Sequence, residues 1–219
     1  MTLVDTIAEQ HLLEQLLERS KPPVPSGCRH LHYLLATPFR YGAAYPAGSR
    51  FRRAGMTPGV FYASQTEATA VAEMAFHRLL FFADSPETPW PSNASEFTAF
   101  AVRFRTASAL DLTAAPFDRQ SRVWSHATDY TACQALADAA RAAGVQVLRY
   151  GSARAPGRNV ALLACNAFGC REPLERRVWR VHVGQRGVRA ICTVPEQRLG
   201  FDREVFAADP RIASLRWER

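Results

Sequence analysis

The chain has 219 residues, 47% hydrophobic and 21% charged, with a net charge of +7. This length and composition suit one soluble globular domain, or one domain with an appendage. No apolar run reaches the roughly 18 residues of a membrane span, and the first twenty residues lack the basic start and unbroken apolar core of a signal peptide. The basic residues are nearly all arginine. Arginine's planar fork of donors matches phosphate and carboxylate oxygens, so the excess suits a phosphorylated ligand, nucleic acid or an acidic partner, and charge alone does not choose. The five cysteines (Cys28, Cys133, Cys165, Cys170, Cys192) are scattered and odd in number. They imply a reduced, cytoplasmic chain, and their spacing provides no zinc site.

The first periodic segment is residues 4–19, a helix capped by Thr6-x-x-Glu9 with Ile7, Leu12, Leu13, Leu16 and Leu17 on one face. Its expected role is to cover the core, with docking to a partner as the alternative, and the proline-rich stretch Lys21–Gly27 ends it. His30–Arg40 reads as an apolar strand that delivers Arg40 and Tyr41 to a loop over Gly42–Ser49. Gly59–Ser64 is a short strand, and Ser64-x-x-Glu67 reads as a capping box opening a helix over 65–83. Phe97–Arg105 alternates as a strand, and residues 107–128 are irregular. Thr131–Ala143 is a strong helix former stopped at Gly144. Val145–Tyr150 and Asn159–Cys165 read as strands, and Val178–Val183 and Val188–Val194 as a hairpin around Gly184-Gln185-Arg186-Gly187. Residues 195–219 show no clear periodicity.

Strands outnumber helices in this order, and sequential βαβ units do not recur. An α+β fold follows rather than a doubly wound sheet. No G-x-G-x-x-G opens a helix after a strand, so a dinucleotide would not be held as in a Rossmann domain. The expected divisions are an N-terminal helix with its linker (1–27), a central domain (28–195) and a C-terminal extension packed on it (196–219).

The densest chemistry lies in Gly48–Glu73. A loop with Arg50, Arg52 and Arg53 leads into the strand bearing Tyr62, and then into an otherwise largely apolar helix bearing Glu73. Within it, R-F-x-x-x-G (Arg50–Gly55), G-V-F-Y-A-S (Gly59–Ser64) and T-A-x-A-E (Thr69–Glu73) occur in order, followed by Leu148-Arg149-Tyr150-Gly151-Ser152-Ala153-Arg154. Together these resemble the RES domain family, named for an arginine, a glutamate and a serine. Gly151 stands where that family usually has proline, which alters backbone stiffness beside Ser152 but not its chemistry. The resemblance implies an ADP-ribosyltransferase-like core of twisted mixed and antiparallel sheets around a cleft, with the N-terminal helix appended. It also implies NAD as substrate, no metal, and a toxin paired with an Xre-type helix-turn-helix antitoxin.

The bond chemistry suggests roles. Breaking the nicotinamide–ribose bond of NAD releases neutral nicotinamide without a general acid, and positive charge builds on the ribose as in glycosidases. Such a site needs a fixed anion near the ribose, cationic donors for the diphosphate and an aromatic face for nicotinamide. Glu73 and Arg50 are the candidate catalytic residues; Arg40, Arg50, Arg52, Tyr62 and Ser152 are the candidate binding residues, with Arg154 and Asn159 weaker. The acceptor stays open among water, phosphate and a protein side chain. The alternatives are an arginine-rich nucleic-acid-binding protein or a stand-alone protein ADP-ribosyltransferase. Direct nucleic-acid binding is disfavoured by the lack of an aromatic sheet signature, zinc spacing or basic helix. The sequence does not define an oligomeric state, and a homo-oligomer is compatible with it.

Overall fold

The computed structural model describes residues 6–41 and 47–218. In chain order the elements are α1 (Ile7–Ser20), α2 (Tyr33–Arg40), β1 (Phe61–Ser64), α3 (Glu67–Asp84), β2 (Ser95–Phe100), β3 (Ala109–Asp111), α4 (Ser121–Trp124), α5 (Thr131–Ala142), β4 (Val147–Gly151), β5 (Arg158–Leu162), β6 (Arg176–Gly184), β7 (Gly187–Cys192), β8 (Gln197–Phe201) and α6 (Pro210–Ala213). They build two four-stranded sheets, β1-β5-β4-β3 and β2-β6-β7-β8, in which only the β3–β4 pair is parallel. This is the α+β architecture expected from the order of elements.

The first sheet is covered on both faces, which explains the near-continuous apolar runs of β4 and β5. Val147, Val160 and Leu162 pack with Phe61 against Leu35, Ala36 and Phe39 of α2. The alternate residues Leu148, Tyr150 and Ala161 pack against Cys133, Ala137 and Ala140 of α5. The second sheet packs Trp179, Val181, Val188 and Ala190 against Val71, Ala72, Ala75, Phe76, Leu79 and Phe82 of α3. The expected hairpin is present. Gly187 has φ +109, and a Cβ there would lie 2.1 Å from the Phe201 carbonyl oxygen, so this corner admits only glycine.

Five local expectations are corrected. His30–Arg40 is not a strand: residues 33–40 form α2, opened by the His32 Nδ1 that accepts from the Leu34 amide at 3.2 Å. A run this short does not distinguish a buried strand from a buried helix by pattern alone. Gly59 is where α2 closes on the chain, since a Cβ there would lie 2.0 Å from the Pro38 carbonyl oxygen. Ser64 is not the cap of α3. It stays in β1, and Thr66 caps instead, its hydroxyl accepting from the Thr69 amide at 3.2 Å. Phe97–Arg105 is regular only as far as Phe100, and the 107–128 stretch holds β3 and α4. The segment after residue 195 is not featureless. It supplies β8 to the second sheet, and Phe201, Phe206, Ile212 and Leu215 to the α3 core.

Helix α1 forms with the expected capping box between Thr6 and Glu9. It buries no residue, and Ile7, Leu12, Leu16 and Leu17 are exposed, so it does not cover the core as expected. The first part of the predicted 42–49 loop lies outside the described residues. Among the described residues, no helix is long and apolar enough to cross a membrane. Cys28 and Cys165, with Cα atoms 5.4 Å apart, are joined as a disulfide, which corrects the expectation of a fully reduced chain; Cys133, Cys170 and Cys192 are free thiols.

Candidate active site

Period-two alternation aims one row of polar side chains out of the first sheet. Ser64 pairs with Asn159 across β1 and β5, and Tyr150 pairs with Asn159 across β4 and β5. Tyr62 is two residues before Ser64 on the same face of β1. Helix α3 begins just after β1, and its second turn brings Glu73 to Asn159 and Ser152.

The Glu73 carboxylate is held by neutral donors. Its Oε1 accepts from the Ser152 hydroxyl at 2.6 Å and from Asn159 Nδ2 at 2.6 Å. Ser152 Oγ in turn accepts from the amides of Arg154 (3.1 Å) and Ala155 (3.2 Å). Those two amides occupy the acceptor side of the hydroxyl, so its proton is directed at Glu73. Asn159 Oδ1 accepts from the Ser64 hydroxyl at 2.7 Å, which orients the amide with its NH2 towards Glu73. Ser64 therefore acts two steps behind the carboxylate. Among the described residues no donor reaches Glu73 Oε2.

Glu73 lines a cavity of about 830 Å³, and among the described residues the lining adds Arg50, Arg52, Arg154 and Arg211 as cations and no second carboxylate. The described wall of the cavity is therefore net positive with one fixed negative point. Arg50 is only 9% exposed. Its Nη1 donates to the Trp124 carbonyl at 2.8 Å, and its guanidinium lies 4.7 Å from the Tyr130 ring centroid.

Tyr62 has a role that its strand position did not suggest. Its hydroxyl accepts from the Phe51 amide at 3.0 Å and bonds with Ser49 Oγ at 2.9 Å, so it anchors the loop that carries Arg50. The residue itself is 38% exposed and lines the cavity. Burial of the hydroxyl pushes its pKa up, against those two hydrogen bonds, and burial pushes the Tyr150 phenol well up. Both phenols are therefore neutral near pH 7. From α5, Gln134 Nε2 donates to the carbonyls of Ser49 (3.0 Å) and Arg52 (3.2 Å), pinning the same loop.

Of the sequence candidates, Arg50, Arg52, Tyr62 and Glu73 line this cavity, and Ser152 holds Glu73 from behind. Arg52 donates to the Tyr41 carbonyl. Arg40 is not part of the group: at the end of α2 its guanidinium turns to Glu18 and the Pro22 carbonyl, fastening α1 to the domain. Asn159 and Arg154, the weaker candidates, are both in the site. Sequence reasoning missed His77, Tyr130, Tyr150 and Arg211. His77 follows Glu73 by one helical turn, which is a readable signal; Arg211 comes from a segment with no pattern to find it by. Burial lowers the His77 pKa, with Glu73 pulling the other way and the charges of Arg154 and Arg211 adding to the depression.

A second cleft of about 570 Å³ lies between β1 and β2 and is largely apolar. Its two described carboxylates are already engaged: Glu67 accepts from Trp179 Nε1 at 2.6 Å and pairs with Arg177 at 2.8 Å, and Glu175 pairs with Arg177 at 3.6 Å. No group of three or more His, Cys, Asp or Glu side chains among the described residues forms a metal site.

The α+β fold thus sets Glu73 against an arginine-lined cavity. The RES domain pattern matches residues 24–184, well over half of the chain, and the protein belongs to the RES domain family. Among curated proteins none matches the chain significantly.

Proposed function

We propose that this protein is an NAD-consuming enzyme that breaks the bond between nicotinamide and ribose. The observation that carries this reading is the Glu73 carboxylate, fixed through Oε1 by Ser152 and Asn159 while no donor among the described residues reaches Oε2. In the reaction the electron pair of the C–N bond leaves with nicotinamide, which becomes neutral. The ribose gains positive charge, and Glu73 offsets it. Because Ser152 and Asn159 are already oriented, this stabilisation needs no reorganisation as the charge develops. An oxygen of the acceptor then bonds to the ribose carbon, and a proton passes from that acceptor to solvent. Arg50 holds the diphosphate, helped by Arg52, and the Tyr62 ring faces the nicotinamide.

The family is linked to toxins that act on NAD, which supports the same assignment for the matched residues 24–184, with β8 and α6 completing their fold. In that role the partner is an Xre-type helix-turn-helix antitoxin, whose acidic segment fills the positive cavity. Arg50 and Arg154 are buried against the cavity rather than displayed on a surface. That favours an enclosed small ligand over a nucleic-acid backbone.

The test is incubation of purified protein with NAD and mass analysis of products. Nicotinamide with ADP-ribose is expected if water is the acceptor, a phosphorylated ADP-ribose if phosphate is, and a mass gain on a target if a protein side chain is. Unchanged NAD with protein free of any co-purified partner overturns the reading.

A further inference from the structure

The segment after β7 places one more arginine in the cavity, and its mooring is unusual. Asp209 is 0% exposed. Its carboxylate accepts from Arg211 Nε at 3.0 Å and Nη2 at 2.8 Å, and from Arg154 Nη2 at 3.1 Å. Burial opposes ionisation of Asp209, but the hydrogen bonds from Arg211 and the charges of Arg211 and Arg154 outweigh it and hold its pKa below the ordinary value.

Asp209 does not line the cavity, whereas both arginines do. The triad therefore turns its negative member away and its positive members inward, with two guanidiniums to one carboxylate. The Arg154 guanidinium lies 3.6 Å from the Phe76 ring centroid, and that side chain is 5% exposed. The Arg211 side chain is 40% exposed. The arginine fork has five donors, and the bidentate pair with Asp209 leaves Nη1 uncommitted to that carboxylate. Tyr130 lines the same cavity: its hydroxyl donates to the Ala127 carbonyl at 3.1 Å, and its ring lies under Arg50.

We infer that Arg211, oriented by Asp209, forms an anion subsite of the cavity that takes a phosphate group of the ligand. The segment 197–217 is then part of the binding site and not a covering extension. Arg211 lies beyond the 24–184 match, so it is not among the residues that define the family pattern. The subsite rests on the proposed NAD reading only for the identity of its ligand; its affinity for phosphate is measured separately.

The experiment is calorimetric titration of the full chain with inorganic pyrophosphate and with ADP-ribose, using wild type, R211A, R211Q and R211K. Loss of one charge-assisted bond to phosphate weakens binding about tenfold. R211A and R211Q are expected to weaken both ligands by that factor and, because each leaves the buried Asp209 with Arg154 alone, to lower the melting temperature as well, while R211K recovers part of the affinity. R198A, a surface arginine that does not line the cavity, serves as the control and is expected to bind as wild type. R211Q keeps much of the side-chain stem should R211A fold poorly. Wild-type affinity in R211Q, or no binding of either probe to wild type, overturns the subsite. A wild type that binds pyrophosphate in an Arg211-dependent way but leaves NAD intact overturns the proposed reaction instead.

Discussion

Helix α3 carries two glutamates six residues apart with opposite fates. Glu67, at its first turn, meets Arg177 and the Trp179 indole and closes the helix onto β6. Its charge is spent on a cation and on the positive end of the helix, and the result is structural. Glu73, in the second turn, meets a hydroxyl and an amide. Neutral donors fix its position without cancelling its charge. The lesson is that a carboxylate's neighbours, more than its burial, decide whether its field is available to a ligand.

The comparison is broken most directly by exchanging charge for amide at each position. E73Q is expected to lower kcat for NAD cleavage by about 10²–10³ with little change in melting temperature. E67Q should do the reverse, keeping activity while losing roughly 1–3 kcal/mol of stability from its charged hydrogen bonds. If E67Q abolishes turnover in a folded protein, the contrast fails. Next come the donors. S152A and N159A should each lower kcat about tenfold through a less well fixed carboxylate, and the double variant should lose less than the product, because both act on one oxygen. Y62F keeps the ring but removes the anchor of the Arg50 loop; a rise in KM of about fivefold is expected, with kcat nearly retained.

The smallest effect is on pH dependence. The folded pKa of His77 lies below its ordinary value of 6.5. Between the two values the unfolded chain binds more protons, so stability rises with pH in that window. The folded protein should therefore lose stability as pH falls below about 6.5, and H77Q should flatten the slope. An identical slope in thermal melts of H77Q would remove His77 from the account.

The fold was legible where burial dictates pattern. Strands β4 and β5 are covered on both faces and read as apolar runs; α5 reads by its period and its stop at Gly144; and β6–β7 read by their turn glycines. It was illegible where elements are short. The eight residues of α2 carry a proline and an apolar stripe, and that run fits a strand as well. Strand β8 is mostly exposed and α6 spans four residues, so neither imposes a period. The site followed the same rule. Glu73, Arg50, Tyr62 and Ser152 stood out from short ordered motifs, and Asn159 could have been weighted more as a lone amide opening an apolar strand. Arg40 misled because its direction depends on α2 being a helix. Asp209 and Arg211 are local neighbours whose meaning comes only from Arg154, far earlier in the chain.

The position of Asp209 and Arg211 has a consequence for how the molecule comes into being. Translation runs from the amino terminus, and earlier parts of a chain begin to fold first. Arg50, Glu73 and Ser152 are thus already made while β8 and α6 are still being synthesised. The pocket lacks Arg211 until that segment arrives, so a nascent chain carries Glu73 before its cavity has that cation.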